Sequence, residues 1–87
     1  MALDCAHHMI PFLLPDGRRD GTEYMALNPT REDRNLGSFR INLKTGKWAD
    51  FAIDVRGGDL ISLVAYIKSI SQLDAARFIE TYVGGYK

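Results

Sequence analysis

The segment that decides the fold runs from residue 38 to residue 43 and reads Ser-Phe-Arg-Ile-Asn-Leu. Its apolar residues alternate with polar ones, and a period of two is typical of a strand with one buried face. The apolar residues are Phe39, Ile41 and Leu43. We therefore expect a strand here whose apolar side faces the core and whose other side, with Arg40, faces away from it.

The neighbouring segments predict partners for this strand. A short turn containing Gly46 follows it, and residues 47–52 read as the return strand of a hairpin. Residues 23–27 suit another strand, whereas the Arg-Gly-Gly sequence at 56–58 reads as a break. The sequence thus predicts a small antiparallel sheet within residues 23–53.

Two helices are predicted after the sheet, within residues 59–83. Asp59 is a good N-cap, and the apolar residues that follow recur at the spacing of a buried helix face: Leu60, Leu63, Val64 and Ile67. Ser71 predicts a second N-cap, with Asp74 three residues on. The expected apolar stripe of this second helix is Leu73, Ala76, Ile79 and Val83, and Gly84-Gly85 is expected to end it.

The N-terminal region, residues 1–22, predicts a short helix over 3–10, limited by Pro11 and Pro15, and then glycine-containing turns. Together these segments predict one domain, residues 1–87, of the α+β class. A small antiparallel sheet packs against a C-terminal helix pair in this prediction.

Composition excludes several classes of protein. The hydrophobic share of 46% and the charged share of 25% are ordinary for a globular domain. The longest apolar stretches are far shorter than the ~20 residues of a membrane span, so no membrane partner is expected. With a single cysteine, neither an internal disulfide nor an all-cysteine zinc site can form. The sequence begins without the features of a secretory signal, and we expect a cytoplasmic location.

The charge is zero overall but unevenly distributed. Residues 1–30 carry two basic and four acidic groups, residues 31–47 carry five basic and two acidic groups, and residues 48–87 carry four and five. The middle segment therefore has a net charge of +3, and a polyanion is expected there first.

The candidate nucleic-acid-binding residues come from this positive segment: Arg31, Arg34, Arg40, Lys44 and Lys47. Trp48 and Tyr24 are candidates for stacking against unpaired bases, although Trp48 is also a candidate core residue. Arg18 and Arg19 lie outside the segment and are expected to contribute little. The alternative interpretation is a solvated strand face whose charges prevent edge-to-edge aggregation.

Other candidate sites have simpler explanations. Cys5, His7 and His8 form too short a cluster for a metal site without further ligands. The Gly-Gly-Asp sequence at 57–59 lacks the lysine and hydroxyl of a phosphate loop and reads as a turn with an N-cap. No spacing of acids and histidines indicates catalysis, so we expect neither an enzyme nor a cofactor.

Three motifs together resemble a known family. They are Gly37-Ser38-Phe39-Arg40-Ile41-Asn42-Leu43, Gly46-Lys47-Trp48-Ala49-Asp50-Phe51 and Gly57-Gly58-Asp59-Leu60-Ile61-Ser62-Leu63-Val64. In this order they resemble the N-terminal zinc-ribbon domain of bacterial DNA primases. The likeness is closer to the degenerate form of that domain in primase-helicase proteins of phages, plasmids and integrated elements. That form is matched by Leu14-Pro15-Asp16-Gly17-Arg18-Arg19 and Asn28-Pro29-Thr30-Arg31, and residues 71–77 also match, so the likeness covers roughly residues 13–83.

The resemblance implies that the zinc ligands have been lost. The positions that hold metal in zinc-bearing relatives correspond to Ala26, Pro29, Asp50 and Ile53, and one carboxylate cannot hold a tetrahedral zinc. Packing, with help from the aromatic residues Phe39, Trp48 and Phe51, would then replace the metal.

The function implied is that of a non-catalytic nucleic-acid-binding module of primase type, acting in phage or mobile-element DNA replication on single-stranded or duplex DNA. Two alternatives remain. The chain could be a protein-interaction module that docks on a replication or host protein. It could also be the fragment of an enzyme whose catalytic domain lies elsewhere. An exposed apolar patch on the helix pair would favour docking, and a basic strip across the hairpin would favour nucleic acid.

The loss of ligands predicts a fold that needs no metal. Purified protein should contain less than stoichiometric zinc, and a chelator should leave the thermal unfolding curve unchanged, because Ala26, Pro29 and Ile53 offer no metal-binding group. Elemental analysis and unfolding followed by circular dichroism test this. A large fall in melting temperature with chelator would refute it.

Overall fold

The chain folds into a five-stranded antiparallel sheet and three helices. This computed structural model describes residues 6–30 and 36–86, with side chains described for residues 8–30 and 36–82. The elements in chain order are α1 (Ala6–Leu13), β1 (Arg18–Asp20), β2 (Glu23–Ala26), β3 (Phe39–Asn42), β4 (Trp48–Asp50), β5 (Val55–Gly57), α2 (Leu60–Lys68) and α3 (Gln72–Tyr86). The predicted α+β class, with a small sheet and C-terminal helices, is confirmed.

The strands lie side by side in chain order, β1-β2-β3-β4-β5. Tyr24 of β2 pairs with Ile41 of β3, which pairs in turn with Trp48 of β4. Residues directly opposite in an antiparallel pair share a face, so these three side chains point the same way. All three are buried, and they define the inner face of the sheet.

The core lies between the inner face and the helices. Phe39, Ile41, Leu63 and Val64 are all fully buried in it, as the sequence predicts, and Ile67 packs at its margin while remaining partly exposed. The N-terminal helix contributes as well, through Met9, Ile10 and Leu14.

Both predicted N-caps form. The Asp59 side chain accepts a hydrogen bond of 2.8 Å from the backbone N–H of Ser62, and the Ser71 hydroxyl oxygen accepts one of 3.1 Å from the N–H of Asp74. Each cap satisfies a backbone donor that a helix leaves without an internal partner. The two helix starts are therefore fixed by local chemistry.

Two strands correct the sequence interpretation. The Arg-Arg-Asp stretch of β1 was expected within a turn region, because it has no apolar alternation to mark a strand. The prediction of a break at Arg56-Gly57-Gly58 is wrong in part, because β5 extends to Gly57. A Cβ on Gly57 would collide with the Trp48 indole and lie 2.5 Å from the Ser62 hydroxyl oxygen. The glycine there permits close packing and does not end the strand. The return strand is also shorter than predicted, since β4 ends at Asp50.

The helices differ from prediction in three places. Pro11 lies inside α1, where the burial of Met9 and Ile10 offsets the hydrogen bond that proline cannot donate. The Gly84-Gly85 pair does not end α3, which continues to Tyr86. Leu73 is 63% exposed, whereas Ala75 and Ile79 are the buried residues among the described side chains of α3, up to residue 82. Two of the predicted stripe residues, Leu73 and Ala76, therefore do not lie at its centre, and the side chain of Val83 is outside the described residues.

The sheet-to-helix packing predicts the effect of truncating its central residues. Ile41→Ala or Leu63→Ala should lower the free energy of unfolding by ~2–5 kcal/mol, because each leaves a cavity where the side chain is now fully buried. Chemical denaturation provides the measurement, and Ile53→Ala is the control, since Ile53 is 44% exposed. An unchanged midpoint for either core variant would contradict this packing.

Candidate nucleic-acid interface

The face of the sheet opposite the core carries a row of side chains that crosses all five strands. The register pairs Arg18 with Met25, Met25 with Arg40, Arg40 with Ala49, and Ala49 with Arg56. We call these five laterally paired residues, three of which are arginines, the arginine row. The face that bears them is the outer face. Because directly opposed residues share a face, arginines from β1, β3 and β5 stand on one surface.

A hollow of about 280 Å³ lies over the β3–β5 half of this face. Its lining combines positive, negative and aromatic side chains: Glu23, Arg40, Lys47, Phe51, Asp54 and Arg56. Such a lining suits a ligand that has both a negative charge and an apolar or aromatic part.

Two ion pairs partly neutralise these arginines. Arg40 Nη1 lies 3.1 Å from Glu23 Oε1, and Arg40 Nε donates to the Gly37 carbonyl at 2.8 Å. Arg56 Nη2 lies 3.0 Å from Asp54 Oδ1, with 77% and 86% of the two side chains exposed. An ion pair so exposed is worth little, so an anionic ligand can replace it at small cost. Arg40 is held more firmly, since it also bonds to the backbone.

The predicted basic residues divide into three groups. Arg40 and Lys47 lie on the outer face and line the hollow. Lys44 is exposed in the turn between β3 and β4, where its N–H donates to the Asn42 side chain. Arg31 and Arg34 are outside the described residues. The structure therefore brings together two of the five predicted cations.

The two predicted stacking residues are buried, which corrects their assignment. Trp48 is 6% exposed, stacks on Tyr66 with centroids 4.9 Å apart, and donates from Nε1 to the Ser62 hydroxyl at 2.9 Å. Tyr24 is 5% exposed and its hydroxyl donates to the Leu14 carbonyl at 2.6 Å. Burial raises the pKa of the Tyr24 hydroxyl, which therefore stays protonated as this donor at neutral pH. Both rings belong to the core.

Phe51, and not Trp48, is the exposed aromatic residue beside the basic side chains. It is 71% exposed and lines the hollow, although the resemblance assigned it to packing in place of metal. Arg18 and Arg56 were also missed, and Arg18 was expected to contribute little. The signal for these residues is the cross-strand register, which depends on β1 and β5.

A buried polar cluster contains Asp50, one of the positions that the primase resemblance aligns with zinc ligands. Asn28 Nδ2 donates to Asp50 Oδ2 and to the Tyr66 hydroxyl oxygen, both at 2.8 Å, and the N–H of Ala52 donates to Asp50 Oδ1 at 3.0 Å. Thr30 completes the cluster by donating from its N–H and its hydroxyl to Asn28 Oδ1. The cluster links the exit of β2, the end of β4 and helix α2.

The side chains at the other three positions of that alignment offer no hydrogen-bonding group to this cluster, although Pro29 lies between its members Asn28 and Thr30. Ala26 is buried in the core, whereas Pro29 and Ile53 are exposed. Within residues 6–30 and 36–86, no group of three or more His, Cys, Asp or Glu side chains is arranged to hold a metal ion. The Asn28–Asp50 hydrogen bond joins the segment after β2 to the end of β4, the two segments in which the primase resemblance places the ligand positions.

Comparisons with known proteins add no family to these observations: no family model, curated protein or solved structure matches the chain. None of the helices in the described part of the chain is long and apolar enough to span a membrane.

The polar cluster predicts that an Asn→Asp substitution has a large effect on stability at Asn28 and a small one at Asn42. Asn28→Asp should destabilise the fold by about 3 kcal/mol or more, because it replaces the donor to Asp50 with a second buried carboxylate. Asn42→Asp should cost at most about 1 kcal/mol, the effect of placing its carboxylate opposite that of Glu23. There the side-chain oxygen only accepts hydrogen bonds, from the N–H groups of Lys44 and Thr45, and a carboxylate accepts them equally well.

Denaturant unfolding at pH 7 of the native chain and both variants makes this comparison. Equal effects at Asn28 and Asn42 would show that the Asn28–Asp50 hydrogen bond is not a source of stability.

Proposed function

We propose that the domain is a non-catalytic nucleic-acid-binding module whose contact surface is the outer face of the sheet. The observation that carries the proposal is the arginine row, because it aligns positive side chains from three strands on one surface. Phosphate groups are the ligands that such guanidinium groups bind most readily. A role in DNA replication of a phage or mobile element, in the cytoplasm, is the biological setting that the primase resemblance suggests.

Charge and exposure support a nucleic acid as the ligand. Lys47 and Arg56 are exposed at the hollow, and Arg18 is exposed on the edge strand. Phe51 adds an exposed aromatic ring beside them, and an aromatic ring next to cations is the usual arrangement for binding unpaired bases. Positive charge and stacking surface thus occur on the same face.

The width of the sheet favours a single strand over a duplex. Four interstrand gaps of ~4.8 Å separate β1 from β5, so the row spans about 19 Å. The major groove of B-DNA is about 12 Å wide and accepts a helix or a two-stranded ribbon. A five-stranded face is too broad to enter it, whereas a flexible single strand can lie across the face.

A protein-docking module is the second candidate, and the observation that favours it is the exposure of Phe51 and Ile53 in one turn. The helical side gives it less support. Phe12 is 65% exposed beside Tyr82, but Leu73 lies nine residues before Tyr82 and so on the opposite side of α3. These exposed residues do not make one continuous patch.

Phosphate contacts predict a defined salt dependence. Four contacts, from Arg18, Arg40, Lys47 and Arg56, should give log affinity for single-stranded DNA a slope near −3 against log salt, since each releases ~0.7 of a counterion. The double variant Lys47→Gln/Arg56→Gln should reduce the magnitude of the slope by about 1.4 and weaken different sequences equally. Fluorescence anisotropy at several salt concentrations gives both quantities.

Arg77→Gln is the matched control, because it removes one positive charge from α3 and leaves the outer face intact. The double variant removes two charges, so its change in the salt slope is halved for the comparison. If Arg77→Gln changes the slope by as much as that half, the binding site is not on the outer face. If the native chain binds neither single-stranded nor duplex DNA at low salt, the protein-docking function replaces the present proposal.

A further inference from the structure

The positions of the charged side chains on the outer face indicate how a single strand of nucleic acid would lie on it. Beside the arginine row, on one side, run Asp20 and Glu23, which oppose each other on β1 and β2. On the other side stands Phe51, two residues beyond Ala49 along the chain, with its N–H bonded to the Ser38 carbonyl at 2.8 Å. Asp20 and Glu23 therefore flank one side of the row. The other side carries the exposed Phe51 ring and Asp54, whose carboxylate is paired with Arg56.

This asymmetry matches the two parts of a nucleotide. Phosphates are repelled by Asp20 and Glu23 and attracted by the arginines, so the sugar-phosphate backbone is confined to the row. The bases then project to the side away from Asp20 and Glu23, where Phe51 is 71% exposed and can stack on one of them. A path along a single strand of the sheet would meet at most one arginine of the row.

We propose that a single strand crosses the sheet perpendicular to its strands, with phosphates along the arginine row and one base stacked on Phe51. The inference rests on the proposed function and adds the path, the orientation and the length of the bound strand. At ~3.4 Å per stacked nucleotide, the ~19 Å between Arg18 and Arg56 accommodates about six nucleotides, or about four in a more extended strand. This footprint is near the lower limit for small single-strand-binding domains.

The footprint predicts a break in the dependence of affinity on length. Labelled oligothymidylates of 2 to 14 nucleotides at low salt should bind the native chain with affinity that rises steeply to about four to six nucleotides. Beyond that length the affinity should rise only slowly, because added nucleotides make no new contact. A steep rise that continues through 14 nucleotides would overturn the proposed footprint.

Two adjacent arginines supply the decisive comparison. Arg18 belongs to the row, whereas Arg19 pairs with Tyr24 on the inner side and donates from Nε to the Gly21 carbonyl at 3.0 Å. Arg18→Ala should weaken binding of a hexamer roughly two- to fivefold, as expected for an exposed ion pair, and should move the break to shorter lengths. Arg19→Ala removes the same charge and should leave the break in place.

Central and terminal contacts should differ as well. Arg56→Ala, at the other end of the row, should shorten the footprint as Arg18→Ala does. Lys47→Ala should lower affinity at all lengths without moving the break, since Lys47 immediately precedes β4 and so lies between the two ends of the row. Identical length profiles for the variants at Arg18, Arg19 and Arg56 would overturn the crossing path.

An abasic strand tests the orientation of the bases. Phe51→Ala should weaken binding of an oligothymidylate and leave unchanged the binding of an abasic deoxyribose-phosphate oligomer of the same length. Ile53→Ala is the matched control, as an exposed apolar residue in the same turn. An equal loss for both oligomers would contradict stacking on Phe51.

The two proposals fail in different ways. If no oligomer of any length binds the native chain, the nucleic-acid function fails and the path fails with it. If oligomers bind and the salt slope falls in the double variant, but length breaks and the abasic difference are absent, the function stands and the crossing path is rejected.

Discussion

The carboxylate of Asp50 imposes the constraint on which the two faces of this domain depend. It is fully buried at the end of β4, and a buried polar group must be met by hydrogen bonds or it destabilises the fold. Asn28 and the N–H of Ala52 supply such bonds, and Asn28 also reaches Tyr66 on α2. Satisfying this one carboxyl group therefore brings together the exit of β2, the end of β4 and the helix that covers the sheet.

The inward position of Asp50 also decides which side chains of β4 lie on the inner face of the sheet and which lie on the outer face. Asp50 and Trp48 point inward together, so their neighbours Ala49 and Phe51 must point outward. Trp48 is fixed there by its bond to Ser62 and by close contact with Gly57, which aligns β5 with the rest of the sheet. The position of Arg56 on the outer face is thus a consequence of how the inner face is packed.

The parts of the fold that the sequence predicts are those with a local signal. Some elements can be predicted from a few neighbouring residues. They are the strand with alternating Phe39 and Ile41 and the helix starts at the N-caps Asp59 and Ser71. The strands β1 and β5 have only three residues each, and long-range pairing decides their structure. Because Arg18 and Arg56 belong to those strands, the candidate site was predicted only at its centre, at Arg40 and Lys47. The exposure of Phe51 was missed because alternation does not say which side of β4 faces the helices.

The order of the strands has a consequence for how the chain reaches its folded state. Each strand pairs only with strands that adjoin it in the chain, so the sheet is a meander. Pairings between near neighbours close short loops, and short loops lose less chain entropy before the contacts that stabilise them form. Every pairing in the sheet can therefore form between strands that are adjacent in the chain. A β-structure of this kind assembles faster than one that must first bring distant segments together.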